Sequence, residues 1–373
     1  MELNSKASIP GMKILHIDLG NDMRGGQWQV LYLTSFLSRH SEFPPVVACP
    51  KNAPLGQKLR DHGIEVIDLP SAGRWNPISI TRLLWARRKQ RFALIHTHDA
   101  RSAALGAMLR RLWGKQVKLI HTRRVSYPVK RSSLGKYRLA DRIVGVSQDI
   151  VNSLVYCGLP EEKLQAIHSG IDLSRYTCRQ PGAAQHFVFA MVGAFTPQKG
   201  HNVLLKAMAL LNERGSLRTA LPPWEVRMIG SGPLFESVLA KARELGVDAH
   251  LAMLGQQDAG KILPYCDAML VPSVDGEGSS GAIKEAWAVG LPLICSDLPA
   301  NLELAIPENN CLTFASGQEA ALAEAMHRLL LNPGLCERLV NGGKASVTRF
   351  TAEKMAAAYV SLYQELLTEA PTS

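Results

Sequence analysis

The sequence of 373 residues contains no apolar run that approaches the ~18 residues of a membrane-spanning helix. The N-terminal residues also lack the basic-then-apolar pattern of a signal peptide, so a secreted protein is not expected. The seven cysteines are scattered, odd in number and without a C-x-x-C pair. This usage argues against a disulfide framework and against a zinc site, and predicts reduced thiols in the cytoplasm that fill small apolar spaces.

Acidic residues are scarce in the first half of the chain. Before His186 there are 28 Lys and Arg against 13 Asp and Glu, whereas the rest carries 14 against 19. A basic helix, ITRLLWARRKQRF with Trp85, and the segment RRVSYPVKRSSLGKYRLADR contribute much of this charge. The asymmetry predicts an anionic partner, and we expect an anionic membrane surface rather than nucleic acid because no nucleic-acid-binding motif is present. A solvated basic face without a partner is the alternative.

Short aliphatic or β-branched runs alternate with helical stretches from residue 12 onward, which is typical of βαβ units and parallel sheets. The predicted strands of the first half are KILHIDL, PVVAC, IEVIDL, ALIHT, VKLIHT and DRIVGV, and those of the second half include HFVFAMVG, WEVRMI, HLAMLG and MLVPS. The length suits two domains of ordinary size. We predict an α/β fold with two Rossmann-like domains, residues 12–180 and 186–348, a linker at 179–185 and a C-terminal helix in 350–373.

The stretch 274–305 carries the strongest chemical signal. The segment GEGSSG is too rich in glycine and serine for a helix or strand, while 282–289 are good helix formers that Gly290 is predicted to terminate. Such a loop delivers backbone N–H groups to a helix N-terminus, which binds phosphate or diphosphate. Glu277 and Glu285 would repel phosphate, so we expect them to face the hydroxyls of the ligand that carries it. Ordinary solvated carboxylates are the alternative.

The run EGSSGAIKEAWAVGLPLICSD resembles the E-x7-E signature of family 4 glycosyltransferases. These are retaining enzymes of the GT-B fold, in which two Rossmann-like parallel-sheet domains face each other across a cleft and the last helix often returns to the first domain. The matching positions are Glu277, Gly278, Glu285, Ala286, Ala288, Gly290, Pro292 and Ser296. The resemblance implies that Glu277 binds the transferred sugar and Glu285 the ribose. It also implies phosphate contacts through backbone N–H groups of Ser279, Ser280 and Gly281.

Two segments of the first domain are similar to the family as well. The loop after the first strand, GNDMRGG, matches a glycine-rich loop near the donor phosphates and the acceptor, through Gly25 and Gly26; a simple tight turn is the alternative. The strand ALIHT runs into H-T-H-D at the sheet edge where ligands bind in open parallel sheets. His98 resembles the histidine beneath the donor sugar, with His121 as a second candidate. A histidine pair without chemical duty is the alternative.

The second domain carries AFTPQKG, which resembles the family segment G-R-L-x-P-x-K-G. Lys199 matches the lysine that binds the donor diphosphate, but Ala194 stands where an arginine is commonest. The chain would therefore bind the diphosphate with one cation fewer, or use another arginine such as Arg24. The resemblance places further donor contacts on backbone groups at Gly230, Gly232, Leu254 and Gly255.

Taken together, these resemblances imply a retaining glycosyltransferase with His98, Glu277 and Lys199 as catalytic residues. It would move a sugar from a nucleotide-sugar, expected to be a UDP-sugar, to a glycan or lipid-linked acceptor in bacterial cell-surface polysaccharide or lipopolysaccharide assembly. No metal and no separate cofactor are expected, since the chain has no D-x-D triplet and Lys199 with the helix dipole can offset leaving-group charge. The expected location is the cytoplasm, free or docked on the inner face of the membrane. Alternatives are a nucleotide-sugar epimerase or sugar-phosphate synthase of the same fold, or a non-catalytic two-domain ligand-binding protein.

Overall fold

The computed structural model describes residues 12–39, 42–70, 76–180, 186–217 and 221–368. The chain forms two compact units, of which the first ends at Gly170 and resumes at Ala352, while the second comprises Ile171–Thr351. The first unit therefore ends earlier than the predicted residue 180, and the second extends slightly beyond the predicted 348.

Backbone bonding explains why residues just after Gly170 belong to the second unit. The Arg179 N–H donates to the carbonyl of Val289, at 2.8 Å, and the Arg179 guanidinium pairs with Asp267. The Gln180 N–H likewise donates to the carbonyl of Pro264, at 2.7 Å. Residues 179 and 180 are thus fixed to the second unit rather than forming a linker, and the rest of the predicted linker, 181–185, lies outside the described residues.

The first unit is built on a seven-stranded parallel sheet with strand order β3-β2-β1-β4-β5-β6-β7. Its strands are β1 Met12–Ile17, β2 Pro45–Pro50, β3 Glu65–Leu69, β4 Arg91–Thr97, β5 Lys118–Arg123, β6 Arg142–Gly145 and β7 Leu164–Ala166. The central strands are buried almost throughout, as their uninterrupted aliphatic runs predict for a sheet covered on both faces. The six strands predicted for this half are confirmed. The seventh, β7, has only three residues, which is too short to give a strand pattern in the sequence.

Seven α-helices complete the first unit within the described residues. They are α1 Gly25–Arg39, α2 Pro54–Asp61, α3 Pro77–Lys89, α4 Ala100–Trp113, α5 Leu134–Arg138, α6 Gln148–Tyr156 and α14 Ala352–Thr368. The last of these, α14, packs against α1 and buries Tyr359, Leu362, Tyr363 and Leu366 in the same cluster as Leu33 and Leu37 of α1. The C-terminal helix thus belongs to the first unit.

The second unit has a six-stranded parallel sheet with order β10-β9-β8-β11-β12-β13. Its strands are β8 Phe187–Val192, β9 Trp224–Ile229, β10 Leu251–Gly255, β11 Ala268–Val271, β12 Leu293–Ser296 and β13 Leu312–Phe314, and its helices are α7 His201–Leu217, α8 Phe235–Glu244, α9 Ala259–Ile262, α10 Gly281–Val289, α11 Pro299–Leu302, α12 Glu319–Leu331 and α13 Pro333–Val347. Gly290 adopts a left-handed conformation, φ 83°, and ends α10 as predicted.

Both predicted sheets are therefore present, and the α/β class with two Rossmann-like domains is confirmed. Among the described residues, no helix combines the length and apolar character required to cross a bilayer. The seven cysteines all carry free thiols, and four of them, Cys49, Cys266, Cys295 and Cys311, are buried.

Candidate functional site

The second unit brings its motif residues together where the strand order reverses. Strands β8 and β11 are neighbours in the sheet, although β9 and β10 lie between them in sequence. Lys199 closes the 3₁₀ turn Pro197–Lys199 that follows β8, and Glu277 lies in the loop that follows β11. Crevices at such switch points, beyond the carboxyl ends of the strands, are where open α/β sheets bind ligands.

Glu277 is the centre of a charged network in this crevice. Its Oε1 atom accepts hydrogen bonds from the Lys199 ammonium at 2.6 Å and from the Ser273 hydroxyl at 2.5 Å. The carboxylate is only 7% exposed. Burial raises the pKa of Glu277, but the charge and hydrogen bond of Lys199 and the Ser273 hydroxyl outweigh it and hold the pKa below its usual value. Glu277 is therefore an ionised acceptor rather than a solvated surface acid.

The N-terminus of α10 follows directly after Glu277. Ser280 is the residue before the helix, its side chain makes no cap hydrogen bond, and the first turn contains no acidic residue. The opening N–H groups of a helix have no intrahelical partner, and the helix dipole adds positive potential there. Ser279, Ser280 and Gly281 thus present backbone donors without a capping side chain, which is the arrangement the phosphate prediction requires.

Glu285 lies on the middle of α10 and is held differently. Its Oε1 accepts a hydrogen bond of 3.1 Å from the Tyr176 hydroxyl, whereas its Oε2 is inaccessible to solvent and has no partner among the described residues. Burial raises its pKa, opposed by the Tyr176 hydroxyl and by Arg175. A desolvated carboxylate oxygen without a donor is costly.

Glycines allow the loops of this crevice to approach one another. Gly200, φ 73°, lies so close to the end of β11 that a Cβ there would meet the Pro272 carbonyl oxygen at 1.8 Å. A Cβ on Gly230 would meet the Gly193 carbonyl oxygen at 1.9 Å. The Lys199 turn therefore packs closely against its two neighbouring loops. A side chain larger than hydrogen at either glycine would displace the backbone.

The other glycines and Leu254 occupy the same end of the sheet. Gly232 packs against the backbone of Phe195, and Gly255 ends β10, where its carbonyl accepts from the Gly230 N–H at 2.8 Å. The carbonyl of Leu254 accepts from the side-chain amide of Gln257 at 3.3 Å. These two carbonyls therefore already make hydrogen bonds within the protein.

In the first unit, the predicted histidine lies in a buried cluster. His16 from β1, His96 from β4 and His98 just beyond β4 are at most 2% exposed, and ring nitrogens of the three lie within 4.8 Å of one another. However, His96 already bonds the Tyr363 hydroxyl through Nδ1, at 2.6 Å, and the Thr122 hydroxyl through Nε2, at 2.7 Å. The cluster is thus a hydrogen-bonded network tied to α14 rather than a set of free metal ligands.

Arg124 determines the tautomer of His98. Its guanidinium, which only donates, lies 3.4 Å from His98 Nδ1, so that nitrogen accepts and the ring proton resides on Nε2. His98 Nε2 in turn lies 3.1 Å from His16 Nδ1, so it donates to His16. His16 then carries its own proton on Nε2, an atom buried without a partner among the described residues. Burial lowers the pKa of His98 and lowers that of His16 to about 3, so both rings are neutral.

The structure also locates the two glycines, the second histidine and the arginine that the sequence singled out in the first unit. Gly25 and Gly26 form the first turn of α1 rather than a loop, and Gly26 packs against the Arg124 side chain. His121 is 1% exposed, and its nitrogens bond the Thr97 hydroxyl at 2.5 Å and the Lys136 carbonyl at 3.1 Å. His121 is therefore a satisfied core histidine, and its candidacy is not supported. Arg24 pairs with Asp22 in the same unit, at 3.0 Å.

Sequence reasoning missed several side chains that complete these two clusters. In the second unit they are Ser273, Tyr176 and Lys284, and in the first unit they are His16, Arg124, Thr122, Tyr359 and Tyr363. Some signals were available. Arg124 follows β5 at the same sheet edge as His98, and Tyr359 and Tyr363 are spaced four residues apart on one face of α14.

The fold and the acidic pair beside a helix N-terminus define a GT-B glycosyltransferase, and comparison with known families agrees. The family model described as "Glycosyl transferases group 1" matches residues 179–346, and the one described as "Glycosyltransferase Family 4" matches residues 23–175. The chain belongs to the family 4 glycosyltransferases.

The individual proteins that the chain resembles have low sequence identity to it. The chain is 28% identical to a D-inositol 3-phosphate glycosyltransferase of Actinosynnema mirum over 367 residues, covering 86% of this chain and 85% of the relative. Among solved structures, HepE of Anabaena in complex with UDP is similar with a TM-score of 0.81 at 17% identity, covering 95% of this chain and 100% of HepE. The lipopolysaccharide outer core galactosyltransferase WaaB has a TM-score of 0.73 at 17% identity, with 95% and 100% coverage.

Proposed function

We propose that this protein is a retaining, metal-independent glycosyltransferase that moves a sugar from a UDP-sugar to a hydroxyl of a glycan or lipid-linked acceptor in bacterial cell-surface polysaccharide or lipopolysaccharide assembly. The observation that carries the proposal is the Lys199 and Glu277 pair at the β8/β11 switch point, beside the uncapped N-terminus of α10. The complex of HepE with UDP supports the choice of uridine. The similarity to WaaB supports a cell-surface glycan as acceptor.

The roles of the residues follow from their bonding. Transfer breaks the bond between the sugar and the diphosphate, so negative charge grows on the leaving phosphate. Lys199 and the N–H groups of Ser279, Ser280 and Gly281 are positioned to stabilise that charge, as a divalent metal would. Glu277, ionised and fixed by two hydrogen bonds, is rigid enough to position sugar hydroxyls. Glu285 would accept a ribose hydroxyl, as the family resemblance implies, once its buried Oε2 becomes accessible.

His98 is proposed to contact the transferred sugar, as the family resemblance implies. A neutral ring suits that role, because its Nδ1 can accept a hydrogen bond from a sugar hydroxyl in place of the 3.4 Å contact with Arg124. Arg124 itself has a buried Nε without a partner among the described residues.

Membrane docking is proposed for the face of α3 that points to solvent. Ile78 is 54% and Trp85 58% exposed, and Arg82, Arg88 and Lys89 are exposed beside them, while Leu83 and Ala86 face the core. The Lys89 ammonium lies 3.7 Å from the Trp85 ring centre. An amphipathic tryptophan among basic residues, with no acidic residue on the helix, suits an anionic lipid surface.

The second basic segment is less suited to docking than its sequence predicts. The Lys136 ammonium donates to the carbonyl of Ala100 at 2.6 Å, and Arg142 pairs with Glu365 at 2.7 Å. Arg124 is directed at His98. Several of its charges are therefore used inside the first unit.

The test is a transfer assay with the full chain, UDP-glucose, UDP-galactose or UDP-N-acetylglucosamine, and acceptors that include lipopolysaccharide core, polyprenyl-linked glycan, glycolipid and inositol phosphate. We expect nucleotide release that depends on one acceptor and a product with the donor's anomeric configuration by NMR. An inverted product would contradict retention. Interconversion of the donor sugar without an acceptor would favour an epimerase, and absence of nucleotide binding would contradict the donor site.

A further inference from the structure

Lys284 is a buried cation in the middle of the acidic motif. It lies in the first turn of α10, between Glu277 and Glu285 in sequence, and is only 1% exposed. Lysine is almost never fully buried unless it has a partner or a function.

The Lys284 side chain reaches back to the phosphate-binding loop. Its ammonium donates a hydrogen bond of 2.6 Å to the Ser279 hydroxyl oxygen. Ser279 is partly exposed, and it lies one residue before the N-cap of α10. Since an ammonium has three donors and no acceptor, the Ser279 oxygen must accept. The hydroxyl proton of Ser279 is therefore left to be donated elsewhere.

The surroundings of Lys284 compensate its charge only in part. Burial lowers the pKa of Lys284 to about 7, against the opposing charges of Glu277 in the loop and Glu303 at the end of α11. The carboxylate of Glu277 is already bonded to Lys199 and Ser273. The Phe350 ring, which follows α13, has its centre 5.6 Å from the Lys284 ammonium. An anion bound at the loop would add negative charge near the Lys284 ammonium and would stabilise its charged form.

We propose that Lys284 is a positioning residue for the donor diphosphate: it polarises Ser279, so that the hydroxyl donates to a phosphate oxygen, and its charge adds positive potential at the loop. This inference rests on the proposed donor site. Lys284 does not touch the phosphate but acts through Ser279 and through its charge.

One consequence is that nucleotide binding is linked to a proton. A bound diphosphate stabilises the charged form of Lys284 and raises its pKa from about 7. Lys284 therefore takes up a fraction of a proton when UDP binds near pH 7, and this contribution weakens binding as the pH rises from 6.5 to 8.5. Uridine carries no phosphate and shows neither effect.

The experiment is calorimetric titration of the full chain with UDP and with uridine, in two buffers of different ionisation enthalpy. Lys284→Met is compared with Lys206→Met, a matched change at a half-exposed lysine of α7. We expect Lys284→Met to weaken UDP binding about tenfold, leave uridine binding unchanged and reduce the buffer dependence. The buffer dependence that remains comes from the terminal phosphate of UDP, whose own pKa is about 6. Ser279→Ala weakens UDP binding less, and the double variant binds as Lys284→Met does.

The outcomes separate this inference from the donor site itself. If the unchanged protein binds neither UDP nor any other nucleoside diphosphate, the donor site is wrong. If it binds UDP, but folded Lys284→Met binds UDP and uridine as the parent does, or loses both equally, the role of Lys284 is wrong. Should Lys284→Met fail to fold, Ser279→Ala decides, because a purely structural lysine predicts that this variant binds UDP as the parent does.

Discussion

The ammonium of Lys199 and Oε1 of Glu277 are 2.6 Å apart although 78 residues separate them in sequence. The pair joins the loops that follow two adjacent strands, and it places a cation and an ionised carboxylate side by side in a crevice. A bound diphosphate would compete with Glu277 for Lys199. Removal of Glu277 is therefore expected to free Lys199 for a phosphate, whereas removal of Lys199 leaves a buried carboxylate without its main partner.

The buried histidines make the first unit sensitive to acid. Burial lowers the pKa of His16 to about 3 and that of His121 to about 4, from 6.5. Between pH 6.5 and about 4 the unfolded chain binds protons that the folded chain does not. The contribution of these rings to the free energy of unfolding is therefore fully present above pH 6.5 and is lost as the pH falls, by up to ~1.4 kcal/mol per pH unit for each ring. The free energy of unfolding in urea, measured from pH 7.5 to 4.5, should fall less steeply for His121→Gln than for the parent. An identical slope for parent and variant would contradict this account.

Transfer should not require a divalent metal. In the proposed mechanism, Lys199 and the α10 N-terminus supply the positive charge at the leaving group. We expect full initial rates in excess EDTA, with a metal-dependent glycosyltransferase assayed in parallel to show that chelation is complete. Loss of activity in EDTA that magnesium or manganese restores would refute metal independence.

The outward face of α3 should bind anionic membranes. Three basic residues near Trp85 contribute ~1 kcal/mol each at low salt, and this attraction is screened as salt rises. Arg82→Glu, Arg88→Glu and Lys89→Glu combined should abolish sedimentation with phosphatidylglycerol vesicles. The matched control reverses three exposed or half-exposed basic residues of the second unit, Lys206, Lys241 and Arg349, and should bind as the parent does. Equal binding to neutral vesicles would rule out an electrostatic docking surface.

Local pattern was sufficient for much of the fold. Uninterrupted aliphatic runs predicted the central strands, and the change from GEGSSG to a helix-forming run ended by Gly290 predicted α10 to within a residue. The placement of Glu277 and Lys199 in one site followed from the resemblance and is consistent with the geometry of parallel sheets, since both follow strands that end at one edge.

The partners that give these residues their properties were not visible in the sequence. His98 owes its tautomer to Arg124, and its neighbour His96 bonds Tyr363, which lies 267 residues after His96 on α14. Tertiary packing alone brings these residues together. The sequence did not single out Lys284 among the residues of α10, because helical periodicity does not reveal that its long side chain folds back on Ser279. The domain boundary was misplaced for a similar reason: residues 171–180 have no strand or helix pattern of their own, and their backbone bonds decide their unit.

The central claim is that Glu277 positions the sugar while Glu285 binds the ribose. The most direct test measures the UDP dissociation constant and kcat for Glu277→Ala and Glu285→Ala beside the parent. Glu285→Ala should weaken UDP binding by roughly 1.5–3 kcal/mol, about 10-fold to 150-fold, with kcat at saturation little changed, because the ribose is not altered in the reaction. Glu277→Ala should lower kcat by at least tenfold and bind UDP at least as tightly, since Lys199 is released to the phosphate. If Glu277→Ala instead loses UDP and keeps its turnover, or if neither variant changes either quantity, the assignment of the site is contradicted.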